Sequence, residues 1–315
     1  GFEGYVVSDC GAISDIYNTH KIVNTQEQAA ALGIRRGCDL NCGSVYQSAL
    51  KIAVNKGLIG VKEIDLSVYR LMLARMKLGM FDPPEKVKYA QIPFEINNST
   101  THDDLALKMA QKSMTLLKNN DILPLNKSNF NKIAVIGPNA DNIKALKGNY
   151  YGTPSNPVTI VEGIKAKAGS EIEVVYHKGI SLVTSQNKDS LVLSKKVLKE
   201  VETADLAIFV GGLDATWEGE ESNEMRSKNG VEGFFGGDRT KIELPEVQLN
   251  ALKAINKTGT PVVFVLLAGG AISFNGLEQE LDGILAAWYP GQRGGDAIAD
   301  VLFGNYNPAG RLPVT

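Results

Sequence analysis

The sequence predicts an α/β protein in two parts, each with parallel strands that alternate with helices. Three segments, 132–137, 206–211 and 261–267, are almost wholly apolar, which is typical of strands buried on both faces of a sheet. Amphipathic segments separate them. A polar stretch with prolines at 82–100 divides this pattern from a shorter strand–helix alternation in residues 1–81. Together these observations favour a mostly parallel sheet covered by helices.

The first part, residues 1–81, is predicted to run strand, helix, strand, helix, helix. Thr25 is a good N-cap, Gln28 stands at the capping-box position, and Gly37 marks the end of that helix. Apolar spacing and glycine stops predict strands at Gly4–Ser8 and Cys38–Asn41, and helices at Thr25–Arg36, Val45–Lys56 and Glu63–Lys77.

The stretch 82–100 is predicted to be a linker, because Asp82-Pro83-Pro84 breaks the preceding helix. The second part, residues 101–315, begins with a helix from Asp103 or Asp104 to about Lys118. Besides the three apolar segments, further strands are predicted at Glu171–Tyr176 and Gly283–Trp288, and further helices at Asp189–Glu202, Glu246–Asn256 and Asp296–Leu302.

Composition excludes several classes of function. The chain carries 33 basic and 35 acidic side chains, for a formal net charge of -2, and a nucleic-acid binder more often shows a basic stripe. It has no uninterrupted apolar stretch of about 18 residues, so no membrane span is expected. Gly137 follows a strand as in a dinucleotide fingerprint, but the further glycines are missing. We therefore expect no cofactor.

The chain has three cysteines, Cys10, Cys38 and Cys42. An odd count in a short region is not a disulfide framework, and no second ligand pair accompanies Cys38 and Cys42 to build a zinc site. Buried apolar thiols are the expected state. The alternative is that Cys10 and Cys42 approach each other across neighbouring strand ends.

Asp9 is the first candidate catalytic residue. It follows the apolar run Tyr5–Val7 and precedes a glycine turn, and catalytic groups of strand–helix barrels lie at the C-terminal ends of strands. The alternative is a structural Asx turn, in which the carboxylate accepts nearby N–H groups.

A long polar loop after the segment 206–211 is the second candidate. It carries four carboxylates, Asp214, Glu218, Glu220 and Glu221, together with Trp217. Glycoside hydrolysis needs two carboxyl groups and an aromatic surface for the sugar. A solvated acidic loop is the competing interpretation. A third loop, Lys147–Pro154, carries Tyr150 and Tyr151, which either line a pocket or pack as an ordinary turn.

Several motifs resemble glycoside hydrolase family 3. The segment Gly1–Asp9 resembles the nucleophile strand of that family. Ser8-Asp9-Cys10, with Asp39-Leu40-Asn41-Cys42-Gly43, is similar to the β-xylosidase and α-arabinofuranosidase branch, whereas β-glucosidases usually carry Ser-Asp-Trp. The acid/base region is matched by Gly212-Leu213-Asp214, Glu218-x-Glu220, Asp238-Arg239 and Leu244-Pro245-x-x-Gln248, and further motifs are Leu116–Asn119, Pro290–Gln292 and Gly310–Pro313.

The resemblance implies a fold for each part. Residues 1–81 would be the last strand–helix units of a (β/α)8 TIM barrel, and 101–315 an αβα sandwich domain with a mostly parallel sheet. The rest of the barrel would lie outside this chain, which is then a C-terminal fragment.

The resemblance also implies a retaining mechanism. Asp9 would be the nucleophile and Glu220 the acid/base, with Glu218 and Glu221 as alternatives and Glu232 as a remote one. Asp238 and Arg239 would form an ion pair that anchors the loop, and Asp39 would cap the turn beside Asp9. Cys10, Trp217, Tyr150 and Tyr151 are the expected substrate contacts, with no metal.

The expected substrate is an oligosaccharide or aryl glycoside, and the expected activity is that of a β-xylosidase. The alternatives are a β-glucosidase or α-arabinofuranosidase on the same scaffold, or a catalytically silent carbohydrate-binding fragment. A periplasmic or secreted location is expected for an enzyme of plant polysaccharide breakdown, although no signal peptide is visible in this chain.

Overall fold

The computed structural model describes residues 2–184, 192–218, 231–235 and 238–313. The chain divides into two compact units, Gly1–Ile96 and Asn97–Thr315. The domain limits inferred from the sequence stay predictions; the stretch 84–96 folds into three short 3-10 turns of the first unit.

Four helices form most of the first unit: α1 Ala12–Asn18, α2 Gln26–Arg35, α3 Val45–Asn55 and α4 Val61–Lys77. Three of them match the predicted helices, and the Thr25 hydroxyl caps α2 by accepting the Gln28 N–H. The sequence did not reveal α1, because it is short and Ile13 is its one buried residue.

The two strands predicted in this unit are reduced to a single parallel bridge between Val7 and Leu40. Ser8 N–H donates to the Leu40 carbonyl at 2.8 Å, and Leu40 N–H donates to the Val6 carbonyl at 3.0 Å. The two segments therefore run side by side in the predicted direction. Below them, Ile13 of α1 packs with alanines of α2 and α3.

A six-stranded sheet organises the second unit, in the order β1-β8-β7-β4-β2-β3. Every neighbouring pair is parallel except β1 with β8. The strands are β1 Thr115–Asn119, β2 Lys132–Ile136, β3 Glu173–His177, β4 Leu206–Gly212, β7 Val262–Leu267 and β8 Gly283–Ala286, with β5 Phe234–Phe235 and β6 Asp238–Arg239 as a separate hairpin.

Helices cover both faces of this sheet. They are α5 Thr100–Ser113, α6 Ile160–Ala168, α7 Lys195–Glu202, α8 Glu246–Asn256 and α9 Gly294–Leu302. Side chains of β4 alternate between two cores: Ile208 and Val210 pack with α5, α6 and α9, whereas Phe209 packs with α7 and α8. This explains why the strands are continuously apolar, because both faces of the sheet are buried under helices. The mostly parallel α/β sheet predicted for this part is confirmed.

Some predicted elements of the second unit were wrong. The helix predicted to reach about Lys118 ends at Ser113, and Thr115–Asn119 forms the antiparallel edge strand. Short apolar runs suit either state, and here pairing with β8 decides. Helix α6 was not predicted, although Thr159 and Glu162 form a capping box at its start. Asp189, the predicted cap of α7, lies outside the described residues, and Ser194 caps that helix.

The segment after α9 returns to the start of the sheet. Gly310 N–H donates to the Met114 carbonyl at 2.9 Å. A Cβ atom at position 310 would lie 2.2 Å from the Ser113 carbonyl oxygen, so only glycine permits this approach. Among the described residues, no helix has the length and apolar character that crossing a membrane requires.

Candidate active site

Asp9 lies on an exposed turn at the end of the Val7 bridge. Its Oδ1 accepts the Cys10 N–H at 2.9 Å, and its carbonyl accepts the Ala12 N–H at 3.2 Å. Gly11 follows in the left-handed region, with φ of 84°, and begins α1. The carboxylate thus accepts the N–H of the next residue, not that of the residue two further on as in an Asx turn. In the described part of the chain its Oδ2 accepts no hydrogen bond.

A disulfide between Cys10 and Cys42 fastens this turn to the second strand end. Ser8 Oγ accepts the Cys42 N–H at 2.9 Å, and Gly11 N–H donates to the Cys42 carbonyl at 2.9 Å. The expectation of buried free thiols was therefore wrong for this pair, and the alternative pairing is found. Cys38 remains free and half-buried. A substrate contact by Cys10 stays a prediction.

Asp39 is buried, but it does not cap the turn beside Asp9. Its Oδ2 accepts the Val6 N–H at 3.0 Å, and its Oδ1 accepts Ser67 Oγ at 2.9 Å and Arg70 Nη1 at 3.0 Å. Burial acts to raise the pKa of this carboxyl, but the hydrogen bonds and the Arg70 charge outweigh it and lower the pKa. Asp39 therefore connects the first strand segment to α4.

In the second unit, the end of β4 is held by Gln248 of α8, which is fully buried. Its Oε1 accepts the Gly212 N–H at 2.8 Å, and its Nε2 donates to the Gly212 carbonyl at 2.8 Å and to the Leu182 carbonyl at 2.7 Å. A Cβ atom at position 211 would lie 2.3 Å from Gln248 Oε1. These contacts give a structural reason for the glycine pair and for this glutamine.

Asp214 forms the turn that leads from β4 to Glu218. Its Oδ1 accepts the Thr216 N–H at 2.9 Å, and its carbonyl accepts the N–H groups of Trp217 at 2.9 Å and Glu218 at 3.2 Å. An aspartate is well suited to such a turn, because its short carboxylate can accept the N–H group two residues further on, as in an Asx turn. Of the four loop carboxylates, Asp214 is thus structural.

The Glu218 carboxylate accepts four hydrogen bonds. Oε1 accepts Arg239 Nη1 at 3.1 Å and the Gly270 N–H at 3.3 Å. Oε2 accepts the Gly269 N–H and the Tyr289 hydroxyl. The side chain is 9% exposed. We call Glu218, Arg239, Gly269, Gly270 and Tyr289 the Glu218 clamp.

Tyr289 stays protonated in this clamp. Burial raises the pKa of its hydroxyl, and the negative charge of Glu218 raises it further. A cavity of about 380 Å³ adjoins the clamp and is also lined by Trp217 and Asp238. Arg239 Nη2 is buried and has no hydrogen-bond partner among the residues that the structure describes.

The structure brings three of the predicted substrate contacts into one region. Trp217 is half-buried, with its ring 4.9 Å from that of Phe234. The loop with Tyr150 and Tyr151 lies beside Glu218, because Asn149 Nδ2 is 3.5 Å from the Glu218 carbonyl. Both tyrosines are exposed, and Lys147 Nζ lies 3.9 Å from the Tyr151 ring centre. Their contact with substrate stays a prediction.

Two of the acid/base candidates, Glu220 and Glu221, lie outside the described residues. Glu232 pairs with Lys241 at 2.5 Å, and that hydrogen bond and charge lower the pKa of Glu232. The expected ion pair of Asp238 with Arg239 is not found in the described part of the loop; Arg239 pairs instead with Glu218.

Tyr289, Gly269 and Gly270 were not among the site residues predicted from the sequence. Tyr289 directly precedes the motif Pro290–Gln292, and the two glycines end the apolar segment after β7. The sequence thus indicates where these residues lie but not that they contact Glu218. Within the described ranges, no group of three or more acidic, histidine or cysteine side chains is arranged to hold a metal ion.

The second unit is similar to a known protein family. Residues 114–315 match the glycosyl hydrolase family 3 C-terminal domain. Most of the second unit thus corresponds to the C-terminal domain of that family. The chain belongs to glycosyl hydrolase family 3, which confirms the resemblance.

Named relatives align over essentially the whole chain. A xylan 1,4-beta-xylosidase of Xylanibacter ruminicola is 31% identical over 100% of this chain and 52% of its own length. A probable beta-D-xylosidase 7 of Arabidopsis thaliana is 35% identical over 100% of this chain and 39% of its own. This chain therefore spans about half or less of the curated relatives it matches.

Solved structures of similar proteins superpose on almost the whole chain. A GH3 exo-beta-xylosidase (XlnD) in complex with a xylobiose aziridine probe superposes with a TM-score of 0.85 and 31% identity, over 98% of this chain and 38% of that one. A b-glucosidase from Erythrobacter marinus gives 0.82 and 30%, over 98% and 42%.

Proposed function

We propose that this chain is part of a retaining glycosidase that releases terminal β-linked xylose from oligosaccharides or aryl glycosides. The observation that carries the proposal is the similarity, over 98% to 100% of the chain, to proteins named as β-xylosidases. The substrate is assigned from those names.

Asp9 is the proposed nucleophile. Its carboxylate is exposed, and its Oδ2 accepts no hydrogen bond from the residues that the structure describes. This supports the role, because attack needs a lone pair that a substrate can reach. The disulfide and the Ser8 hydrogen bonds limit the freedom of the turn, and such preorganisation favours catalysis.

Glu220 is the proposed acid/base. The contacts of Glu218 support this choice, since both of its oxygens are occupied by donors and neither is free to meet a glycosidic oxygen. Glu221 is the remaining alternative from the sequence.

In the proposed reaction, an Asp9 oxygen bonds to the anomeric carbon while the glycosidic bond breaks. The proton of Glu220 passes to the leaving oxygen. Glu220 then removes a proton from water, whose oxygen bonds to the anomeric carbon and releases Asp9. Retaining hydrolysis by this route needs carboxyl groups about 5–5.5 Å apart.

Residues 1–81 are proposed to complete a (β/α)8 barrel with further strand–helix units. The single parallel bridge and the exposed apolar side chains of Tyr5, Val6, Val7 and Leu40 support this. An isolated strand pair with such side chains in water is an unfavourable arrangement.

The nucleophile is tested with Asp9→Gly in the full-length gene product. We expect loss of hydrolysis of nitrophenyl β-xyloside and partial rescue by azide, which would enter from the opposite face and form an α-xylosyl azide. Asp65→Ala, which changes an exposed carboxylate of α4, should keep full activity. Normal turnover by Asp9→Gly would overturn the assignment.

A β-glucosidase is the second candidate, because one of the similar structures bears that name. A panel of nitrophenyl xylosides, glucosides and α-arabinofuranosides distinguishes the candidates. We expect the highest kcat/KM for the β-xyloside; a higher value for either of the others would transfer the assignment to that sugar.

A secreted or periplasmic location is also proposed. The Cys10–Cys42 disulfide supports it, because such bonds persist in oxidising compartments. Trapping of free thiols in freshly lysed cells should label Cys38 but neither residue of the pair.

A further inference from the structure

Asn41 connects the turn of Asp9 to helix α3. Its Nδ2 donates to Ser8 Oγ at 3.2 Å, and its Oδ1 accepts the Tyr46 N–H at 3.3 Å. Tyr46 is the second residue of α3, and among the described residues the N-cap Ser44 makes no side-chain capping hydrogen bond. The first N–H groups of a helix need partners from outside the helix, and Asn41 supplies one here.

Ser8 lies directly before Asp9, and its hydroxyl oxygen accepts two hydrogen bonds. The donors are Asn41 Nδ2 and the Cys42 N–H, the latter at 2.9 Å. The Ser8 N–H donates to the Leu40 carbonyl at 2.8 Å. The main chain and the side chain of Ser8 are therefore both fixed to the second strand segment.

The residues after Asp9 are fixed to the same segment. Cys10 forms the disulfide with Cys42, and the Gly11 N–H donates to the Cys42 carbonyl at 2.9 Å. The Asp9 carboxylate itself accepts the N–H of its neighbour Cys10, and within the described ranges it makes no hydrogen bond to the second segment. Its direction is therefore determined by how the residues on either side of it are held.

We propose that Asn41 is a positioning residue for the nucleophile, which acts through Ser8 to set the direction of the Asp9 carboxylate. This rests on the proposed function, in which Asp9 attacks the anomeric carbon. An amide suits the position because it donates with its nitrogen and accepts with its oxygen, whereas an ionised carboxylate has no proton to donate to Ser8. The attack requires that the reacting atoms be aligned, and a small misplacement lowers its rate.

The attack by Asp9 can be measured without acid catalysis in the full-length gene product. The reagent is dinitrophenyl 2-deoxy-2-fluoro-β-xyloside. An Asp9 oxygen bonds to the anomeric carbon while the bond to the aryl oxygen breaks, and dinitrophenolate leaves with the electron pair and needs no proton. Because the fluorine slows the later hydrolysis, each competent site releases one dinitrophenolate in a burst. The burst amplitude counts competent sites, and its rate constant at saturating reagent measures the attack.

Asn41→Ala should lower the rate constant of the burst by about fivefold or more. The reagent concentration that gives half the maximal rate should change by less than about threefold, because Asn41 acts on the attack and not on binding. Asn126→Ala is the matched control, since it replaces an exposed asparagine of the second unit that also bonds to a serine, and it should keep the wild-type rate constant.

Ser8→Ala tests the route by which Asn41 acts. It removes the contact between the two side chains but leaves the bond of Asn41 to the Tyr46 N–H, so it also decides the matter if Asn41→Ala does not fold. We expect a similar loss in the rate constant. The double variant should be no slower than the slower single variant, because two residues that act through one hydrogen bond are not additive.

A wild-type rate constant in either variant would overturn the proposal, including the case in which only the burst amplitude falls, which would indicate a purely structural role. Losses that multiply in the double variant would overturn it as well, because the two residues would then act separately. Failure of the underlying function is separately visible, since Asp9→Gly would then still show the burst.

Discussion

The buried carboxylate of Asp39 accepts the main-chain N–H of Val6, 33 residues earlier, at 3.0 Å. This bond runs beside the Val7–Leu40 bridge, so the two strand segments of the first unit are joined by a side chain as well as by main-chain hydrogen bonds. Ser67 and Arg70 extend the connection to α4.

Asp39→Asn should destabilise the first unit by about 1–3 kcal/mol, because an amide cannot replace a carboxylate that serves three donors. The effect should depend on pH. The folded state lowers the pKa of Asp39 below its ordinary value of 3.8, so this carboxyl contributes stability above that value and loses it as pH falls through the folded pKa. Urea unfolding at pH 7 and pH 3 should therefore show a smaller difference between the variant and the wild type at pH 3. A constant difference across that range would contradict the prediction.

The disulfide should stabilise the Asp9 turn. It joins cysteines 32 residues apart, for which loop closure in the unfolded chain corresponds to about 3–4 kcal/mol. Replacing Cys10 and Cys42 together with serine should raise hydrogen exchange in peptides covering residues 5–18. Cys38→Ser is the matched control, since a serine hydroxyl can also donate to the Leu40 carbonyl that Cys38 Sγ contacts. Equal exchange in both variants would show that the turn does not depend on the bond.

Gln248→Ala should weaken the end of β4. The change leaves the buried N–H and carbonyl of Gly212, and the partly buried carbonyl of Leu182, without the partner they have here, at a cost of about 2–4 kcal/mol. Hydrogen exchange of peptides covering 206–218 should increase. Asn256→Ala alters an exposed amide at the end of the same helix, and its exchange in 206–218 should match the wild type. Unchanged exchange in Gln248→Ala would mean that other groups hold the strand end.

The sequence was most informative where one residue type serves one physical need. Continuous apolar runs at 206–211 and 261–267 predicted buried parallel strands, and both cores of the sheet now account for them. Thr25 and Gln28 predicted the start of α2. Each of these signals lies within one short segment, so it can be recognised from the sequence without knowing the tertiary contacts.

Partnerships between distant residues were harder to predict. Arg239 follows Asp238 in sequence, yet its side chain pairs with that of Glu218, 21 residues earlier. Thr115–Asn119 is apolar enough for a helix, and only the neighbouring β8 makes it a strand. Cys10 and Cys42 were left open as a pair, because an odd number of cysteines does not define which of them meet.

The hydrogen bond between Gly310 and Met114 brings the segment after α9 back beside the strand that opens the sheet. Where two ends of a folded segment lie close together, the segment can be transferred between longer proteins with little change to the surrounding chain. Helix α5 precedes that strand and contributes Ala110 to the core of the sheet. A chimeric enzyme that keeps this sheet should therefore take α5 together with it and keep glycine at position 310.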